Sequence, residues 1–295
     1  MPVISPDNAH ELSPIFKGFK GKLLLNWALH VTGIDNVNRT HDALEAAGCP
    51  HGADFAKGIL DDIEVDFRVG NPERLLSLPE GPFIVISNHI YGHIDGICMI
   101  DLFGHAREGF KVIVNEFLMW IKGLEPSFIS VTPNTGSGGG ATATSLNGIK
   151  SAIRQLGDGL PLGLFPSGAV ADIKPRKGWI LEEREWQSSV LKLIQRSRVP
   201  VVPLYFPDRN SIFYYLLELV DYRIRFVRLF HEMYNKRGST PRVVIGETIG
   251  VEEQARYEDL EQFGAFLRER LYGTAIPDKF LLRSEMKDDF FSKKS

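Results

Sequence analysis

The residues from Phe83 to Gly96, FIVISNHIYGHIDG, restrict the fold more than any other part of the chain. Phe83, Ile84, Val85 and Ile86 form an unbroken apolar run after Gly81-Pro82, which is how a strand reads when both faces of its sheet are covered. Ser87, Asn88, His89, Tyr91, Gly92, His93 and Asp95 then crowd the carboxyl end of that strand. In open α/β sheets this edge is where ligands and reactive groups gather. From Ile97 to Phe103 the apolar residues return at a spacing that suits a helix lying back on the sheet. The stretch therefore predicts a βα unit with a polar turn between strand and helix.

A histidine and a carboxylate this close in one turn can work as a dyad. The imidazole takes a proton from a hydroxyl while the carboxylate selects its tautomer and stabilises the imidazolium. His89 and Asp95 suit those roles. The same pair also suits a cap or a buried structural hydrogen bond, and His89, His93 and Asp95 together have zinc-binding chemistry. No further ligand cluster with zinc-like spacing accompanies them, so no metal is assigned, and His93 reads as a structural or substrate-shaping residue.

The strand, Asn88-His89-x5-Asp95-Gly96 and the helix together resemble motif one of the glycerolipid acyltransferases, the superfamily of glycerol-3-phosphate and lysophosphatidate acyltransferases. That superfamily usually spaces the motif NH-x4-D. The additional residue resembles the hemolysin-like and aminolipid O-acyltransferase branch, and Gly92 can absorb it in a turn that other residues avoid. Three further features follow in order: a strand at Phe128 to Val131 in the motif-two position, Phe165-Pro166-Ser167-Gly168 similar to the FPEG of motif three, and Val199 to Pro203 similar to motif four. Two departures stand out. Ser167 occupies the place of the motif-three glutamate, with Ala169-Val170-Ala171 where Thr-Arg-Ser is usual, and Thr132-Pro133-Asn134 stands where motif two supplies an arginine.

The resemblance implies an α/β fold with a mixed, mostly parallel central sheet flanked by helices. It also implies transfer of a fatty acyl group from an acyl carrier protein or coenzyme A thioester to a hydroxyl of a lyso-lipid, with no cofactor beyond that co-substrate. It makes His89 the base and Asp95 its orienting partner. Asn88, Gly92, Phe165, Pro166, Ser167, Gly168, Arg209 and Asn210 become the substrate- and oxyanion-binding set, with the Ser167-Gly168 turn offering backbone amides or the Ser167 hydroxyl to the oxyanion. The missing arginines leave the acceptor open. A phosphate-bearing lipid would need Arg209, Lys174, Arg176 or Lys177 to replace them; a lyso-aminolipid, such as an N-acylated amino acid carrying a 3-hydroxy acyl chain, is preferred. A thioester or ester hydrolase and a non-catalytic lipid-binding protein stay open as alternatives.

The rest of the chain sets the surroundings. Its 295 residues, 43% hydrophobic and 24% charged, are ordinary for a globular chain with a sizeable core. A net charge of -3 gives no whole-chain attraction to nucleic acid. Cys49 and Cys98 alone make no disulfide framework. No apolar run approaches the ~20 residues that cross a bilayer, and MPVISPDNAHELSP lacks the order of a signal peptide. The expected location is cytoplasmic, peripheral on the inner face of the cell membrane.

Lys17, Lys20 and Lys22 alternate with Ile15, Phe16, Phe19, Leu23, Leu24, Leu25 and Trp27, the composition of an amphipathic helix at a membrane interface or against the domain. The expected division is a helical N-terminal extension over 1–60, an acyltransferase-like domain over 61–285 and a frayed tail over 286–295. Asp61 to Val69, DDIEVDFRV, alternates as a half-buried strand. Lys111 to Val114, Pro161 onward, Val199 to Tyr205 and Arg242 to Ile249 read as further strands, with Glu116 to Lys122, Leu146 to Leu156, Trp186 to Arg196 and Tyr257 to Tyr272 as helices. The glycine-rich run from Asn134 to Thr144 lacks the Gly-Lys-Ser/Thr ending of a P-loop and reads as a linker or lid. Arg223, Arg225, Arg228, Lys236 and Arg237 form a basic stretch that suits a solvated face or an acidic-lipid contact. The interfacial reading of the first segment predicts that deleting residues 1–30 removes co-flotation of the protein with anionic vesicles; equal flotation of both forms rejects it.

Overall fold

The apolar runs become the interior of an eight-stranded sheet. The computed structural model describes residues 33–131, 143–174, 180–211, 213–215 and 229–291. The basic segment over 15–28, Thr132 to Asn134, most of the glycine-rich run, Arg176, Lys177, Arg223, Arg225 and Arg228 lie outside the described residues. In chain order the strands are β1 (Arg68–Gly70), β2 (Ile84–Ser87), β3 (Lys111–Asn115), β4 (Phe128–Val131), β5 (Leu162–Leu164), β6 (Asp172–Lys174), β7 (Ile180–Glu182), β8 (Val201–Tyr205), β9 (Arg242–Ile245) and β10 (Phe280–Leu282). The main sheet runs β10-β1-β9-β8-β2-β5-β3-β4, and β6 pairs with β7 as a separate antiparallel hairpin. From β8 to β4 every neighbouring pair is parallel. β9 turns antiparallel to β8, β1 is parallel to β9, and β10 closes the edge antiparallel to β1. The architecture is the mixed, mostly parallel α/β sheet that the sequence predicts.

The helices are α1 (Ile34–Ala46), α2 (Ala53–Asp62), α3 (His93–Ala106), α4 (Ala143–Gly157), α5 (Ser188–Ser197), α6 (Val251–Gln254) and α7 (Leu260–Tyr272), and residues 229–234 are also helical. They cover both faces, which is why β2 reads as a continuous apolar run rather than an alternating one. Val85 faces a core shared with α2 and α3, through Phe55, Leu60, Met99 and Phe103. Ile84 and Ile86 face the other layer, built from Ala152 and Leu156 of α4, Leu191 and Ile194 of α5, and Phe263 and Leu267 of α7. Among the described residues no helix is long and apolar enough to cross a membrane.

Two readings shift. Ile63, Val65, Phe67 and Val69 are all buried, as their alternation predicts, but only Arg68–Gly70 pairs as strand, because α2 continues through Asp62 and a turn at Ile63-Glu64 follows before the chain enters the sheet. The helix expected over Glu116 to Lys122 is instead two 3₁₀ turns, Glu116–Trp120 and Lys122–Ser127. Gly123 stands so close to the Phe55 ring that any side chain there would collide with it, and Pro126 has no amide to carry a longer helix.

The far edge is tied down by charge. Arg283, just after β10, grips the fully buried Asp101 of α3 with two hydrogen bonds of 2.8 Å, and His105 adds a contact of 2.9 Å to the same carboxylate. The Arg283 guanidinium also lies 4.5 Å from the centre of the Phe291 ring, and Met286 between them is buried. Removing one member of a buried ion pair leaves the other desolvated and uncompensated. Arg283→Met should therefore lower the unfolding free energy by about 3 kcal/mol or more, measured by urea denaturation.

Candidate active site

Parallel strands end on one side of the sheet, so β2, β5 and β8 deliver their following loops to a common edge. Ser87 of β2 is level with Leu204 of β8, and the chain beyond each strand forms one wall of the site. Asn88 opens the turn. Its side-chain amide donates to the Phe206 carbonyl at 2.9 Å and accepts from the Phe206 amide at 2.8 Å. Both polar ends of this buried side chain are engaged, so Asn88 fastens the turn to the end of β8, whereas the sequence places it with the substrate contacts.

Asp95 is the centre of the turn. It is fully buried, and its Oδ2 accepts from the amides of Ile90, Tyr91 and Gly92 at 2.8, 2.9 and 3.0 Å. His89 Nδ1 donates to the same oxygen at 3.0 Å. The additional residue of the NH-x5-D spacing lies within this loop of consecutive amides. Gly92 has φ +83°, and a side chain there would run into Leu229; both facts require glycine. Because Nδ1 faces the carboxylate, the proton-accepting lone pair is on Nε2. Nε2 has no partner among the described residues, and 18% of the His89 side chain remains accessible.

The loop after β5 forms the second wall. The Phe165 ring stacks on the His89 imidazole, with centroids 4.2 Å apart and planes inclined by 29°. Gly168 donates its amide to the Phe165 carbonyl at 2.9 Å, and the Pro166 carbonyl receives the Gln187 amide at 3.0 Å, which closes the turn. Ala171 donates to the His89 carbonyl at 2.7 Å. The Ser167 hydroxyl is buried and within hydrogen-bonding reach of the Ala169 carbonyl (3.0 Å) and of Glu183 (3.1 Å). Of the donors the sequence offers for an oxyanion, the Gly168 amide and the Ser167 hydroxyl are thus already engaged, and the Ser167 amide donates to no described residue.

The loop after β8 separates the remaining two residues. Asn210 is buried beneath the turn and donates to the carbonyls of Ile90 (3.1 Å) and Tyr91 (3.4 Å). Arg209 is exposed at the same edge, its carbonyl 3.4 Å from the Lys236 ammonium. Sequence reasoning missed Glu183, which follows β7, is 4% exposed and accepts the His89 amide at 2.6 Å. No local signal marks it: Glu183 lies just beyond the end of β7, among the charged residues Glu182, Arg184 and Glu185.

A family of acyltransferases matches this chain over residues 6–275. The chain belongs to that family and is an acyltransferase. It is similar to the lyso-glycine lipid O-acyltransferase of Bacteroides thetaiotaomicron, 27% identical over 229 residues, which cover 75% of this chain and 79% of the relative. It is likewise similar to the lyso-glycine lipid O-acyltransferase of Phocaeicola vulgatus, 27% identical over 230 residues, covering 75% and 77%.

His93 stands outside the dyad. Its ring stacks on Phe230 at 4.3 Å, and burial first, then the charge of His89, push its pKa down to about 4, against a hydrogen bond to the Leu229 backbone. A histidine whose folded pKa lies below its unfolded value binds protons preferentially when unfolded. Its penalty is absent above pH 6.5 and grows as pH falls towards 4. The parent should lose roughly 3 kcal/mol of stability across that window on this account. His93→Phe, which keeps the stack, should flatten the loss in urea denaturation at pH 7 and pH 4.5.

Proposed function

We propose that the enzyme moves a fatty acyl group from a thioester to the hydroxyl of a lyso-aminolipid, with a lyso-glycine lipid as the acceptor. The observation that carries this reading is the His89–Asp95 pair, with Nδ1 held at 3.0 Å by a buried carboxylate and Nε2 left open at the sheet edge. His89 Nε2 takes the proton of the acceptor hydroxyl as its oxygen attacks the thioester carbonyl. Asp95 stabilises the imidazolium that forms. The tetrahedral oxyanion is met by the Ser167 amide. When it collapses, the carbon–sulfur bond breaks, and the leaving thiolate takes the proton back from His89. The products are the ester and the free thiol of acyl carrier protein or coenzyme A.

The choice of acceptor is supported by the composition of the second wall. A phosphate is gripped best by a planar arginine fork. Between Phe165 and Ala171 the described loop carries no cation, and Val170, in the place of the motif-three arginine, is buried. Both curated relatives are named for a lyso-glycine lipid, which supports the same choice. Such an acceptor is a membrane lipid, so the enzyme works at the membrane surface.

The test supplies radiolabelled acyl carrier protein and acyl-CoA thioesters to the purified parent and to His89→Ala. The acceptors are lyso-glycine lipid, lysophosphatidate, glycerol 3-phosphate or none. Label should enter the lyso-glycine lipid with the parent and fall by about a hundredfold or more with His89→Ala. Equal or faster labelling of lysophosphatidate overturns the acceptor, and free fatty acid without lipid product marks a hydrolase instead.

A further inference from the structure

We infer that Glu183 is a positioning residue for acyl transfer, holding the catalytic base through its main chain; the inference rests on the role proposed above for His89. Glu183 is buried but has no ion-pair partner among the described residues, the neighbouring Arg184 being turned to Asp172 at 3.0 Å. A buried carboxylate is tolerated only when its oxygens are hydrogen-bonded, and here neutral donors do all of it. Oε1 accepts from the His89 amide (2.6 Å) and the Ser167 hydroxyl (3.1 Å). Oε2 accepts from the Tyr272 hydroxyl (2.7 Å) and the Trp186 indole (3.3 Å). The turn after β5 has no acid of its own, so the negative charge at this point is delivered by the residue that follows β7.

Three of the donors come from separate parts of the chain, the dyad turn, the second wall and the end of α7, and the fourth, Trp186, from the lead into α5. The shortest of the bonds is to the base itself. The His89 carbonyl is meanwhile tied to Ala171 at 2.7 Å. Both main-chain polar groups of His89 are therefore held, the carbonyl by Ala171 just before β6 and the amide by Glu183 just after β7. With the backbone held, Asp95 on Nδ1 and Phe165 on the ring face leave Nε2 a single place to be. Glu183 reaches the chemistry only through this geometry, since no contact of its own is with the open face of the imidazole.

Replacing the carboxylate by an amide makes a specific defect. If the amide nitrogen occupied the Oε1 place it would meet the His89 N–H, a donor that cannot turn away. In the Oε2 place it meets Tyr272, whose hydroxyl can rotate and accept, and Trp186, whose indole N–H cannot. Glu183→Gln should therefore settle in the second orientation and leave Trp186 Nε1 unpaired. Adding Trp186→Phe removes that donor.

The experiment compares the full-length parent, Glu183→Gln, Glu183→Ala and Glu183→Gln/Trp186→Phe. It reads kcat and KM for acyl transfer to lyso-glycine lipid, the folded fraction by thermal melting, and amide hydrogen exchange over residues 87–92 without substrate. A sub-ångström displacement of a base costs rate rather than affinity. Glu183→Ala should lose about tenfold or more in kcat per folded molecule, with KM unchanged and faster exchange at His89. Glu183→Gln should lose less, and Trp186→Phe should restore most of that loss. A parent-like kcat in folded Glu183→Ala, or a raised KM with kcat intact, overturns the inference. If the parent transfers no acyl group, the acyl-transfer reading fails on its own. The clamp is then decided by exchange alone: unchanged exchange over residues 87–92 in Glu183→Ala overturns it as well.

Discussion

One oxygen atom, Oδ2 of Asp95, receives the His89 imidazole and three successive main-chain amides, and the site takes its shape from that convergence. A carboxylate with no exposure needs charge-assisted hydrogen bonds to stand where it does. Three consecutive N–H groups can point at one atom only if the chain curls around it, which forces the left-handed geometry at Gly92. The same curl starts α3 at His93, so the carboxylate also lies at the positive end of a helix. Turn, helix start and base orientation are one interaction seen from different sides.

Strand order then turns a local device into a site. β2 lies between β5 and β8 with all of them parallel, so the chain leaving each arrives at the same edge. Residues more than a hundred positions away become neighbours of the turn: Phe206 closes on Asn88, and Asn210 supports the carbonyls of Ile90 and Tyr91. The β5 side contributes Phe165 against the imidazole and Ala171 against its carbonyl. A well-packed wall on each side leaves the histidine few alternative orientations, which is the condition for an efficient base.

What could be read from the sequence was the local part. The βα unit, His89, Asp95 and the parallel strands all announce themselves through short-range patterns of apolar and polar residues. The direction of β9 does not, because alternation and β-propensity are the same in either direction, and the three-residue strands β6, β7 and β10 leave no pattern of their own. The separate 3₁₀ turns near Gly123 have one local mark, Pro126, and one tertiary cause that leaves none, the phenylalanine ring from α2 against Gly123. Asn88 was legible as important and illegible in role: its neighbours in sequence suggest substrate, its partner 118 residues on shows a brace. Glu183 was the largest omission. It sits in a run of charged residues, Glu182 to Glu185, that reads as solvated surface, and only its tertiary partners His89, Ser167 and Tyr272 separate it from its neighbours.

The two histidines of the turn show how strongly placement decides chemistry. They are four residues apart, and each has an aromatic ring stacked on it, Phe165 on His89 and Phe230 on His93. Only His89 has a carboxylate on Nδ1; the corresponding atom of His93 is buried without a partner. His93 is also the first residue of α3, where the helix dipole opposes a positive ring. Enclosure above all holds it neutral, so it does not compete for the proton. The turn thus contains two imidazoles but offers one base, and the carboxylate that would complete a metal site with both of them is already filled by main-chain amides on the oxygen facing His89.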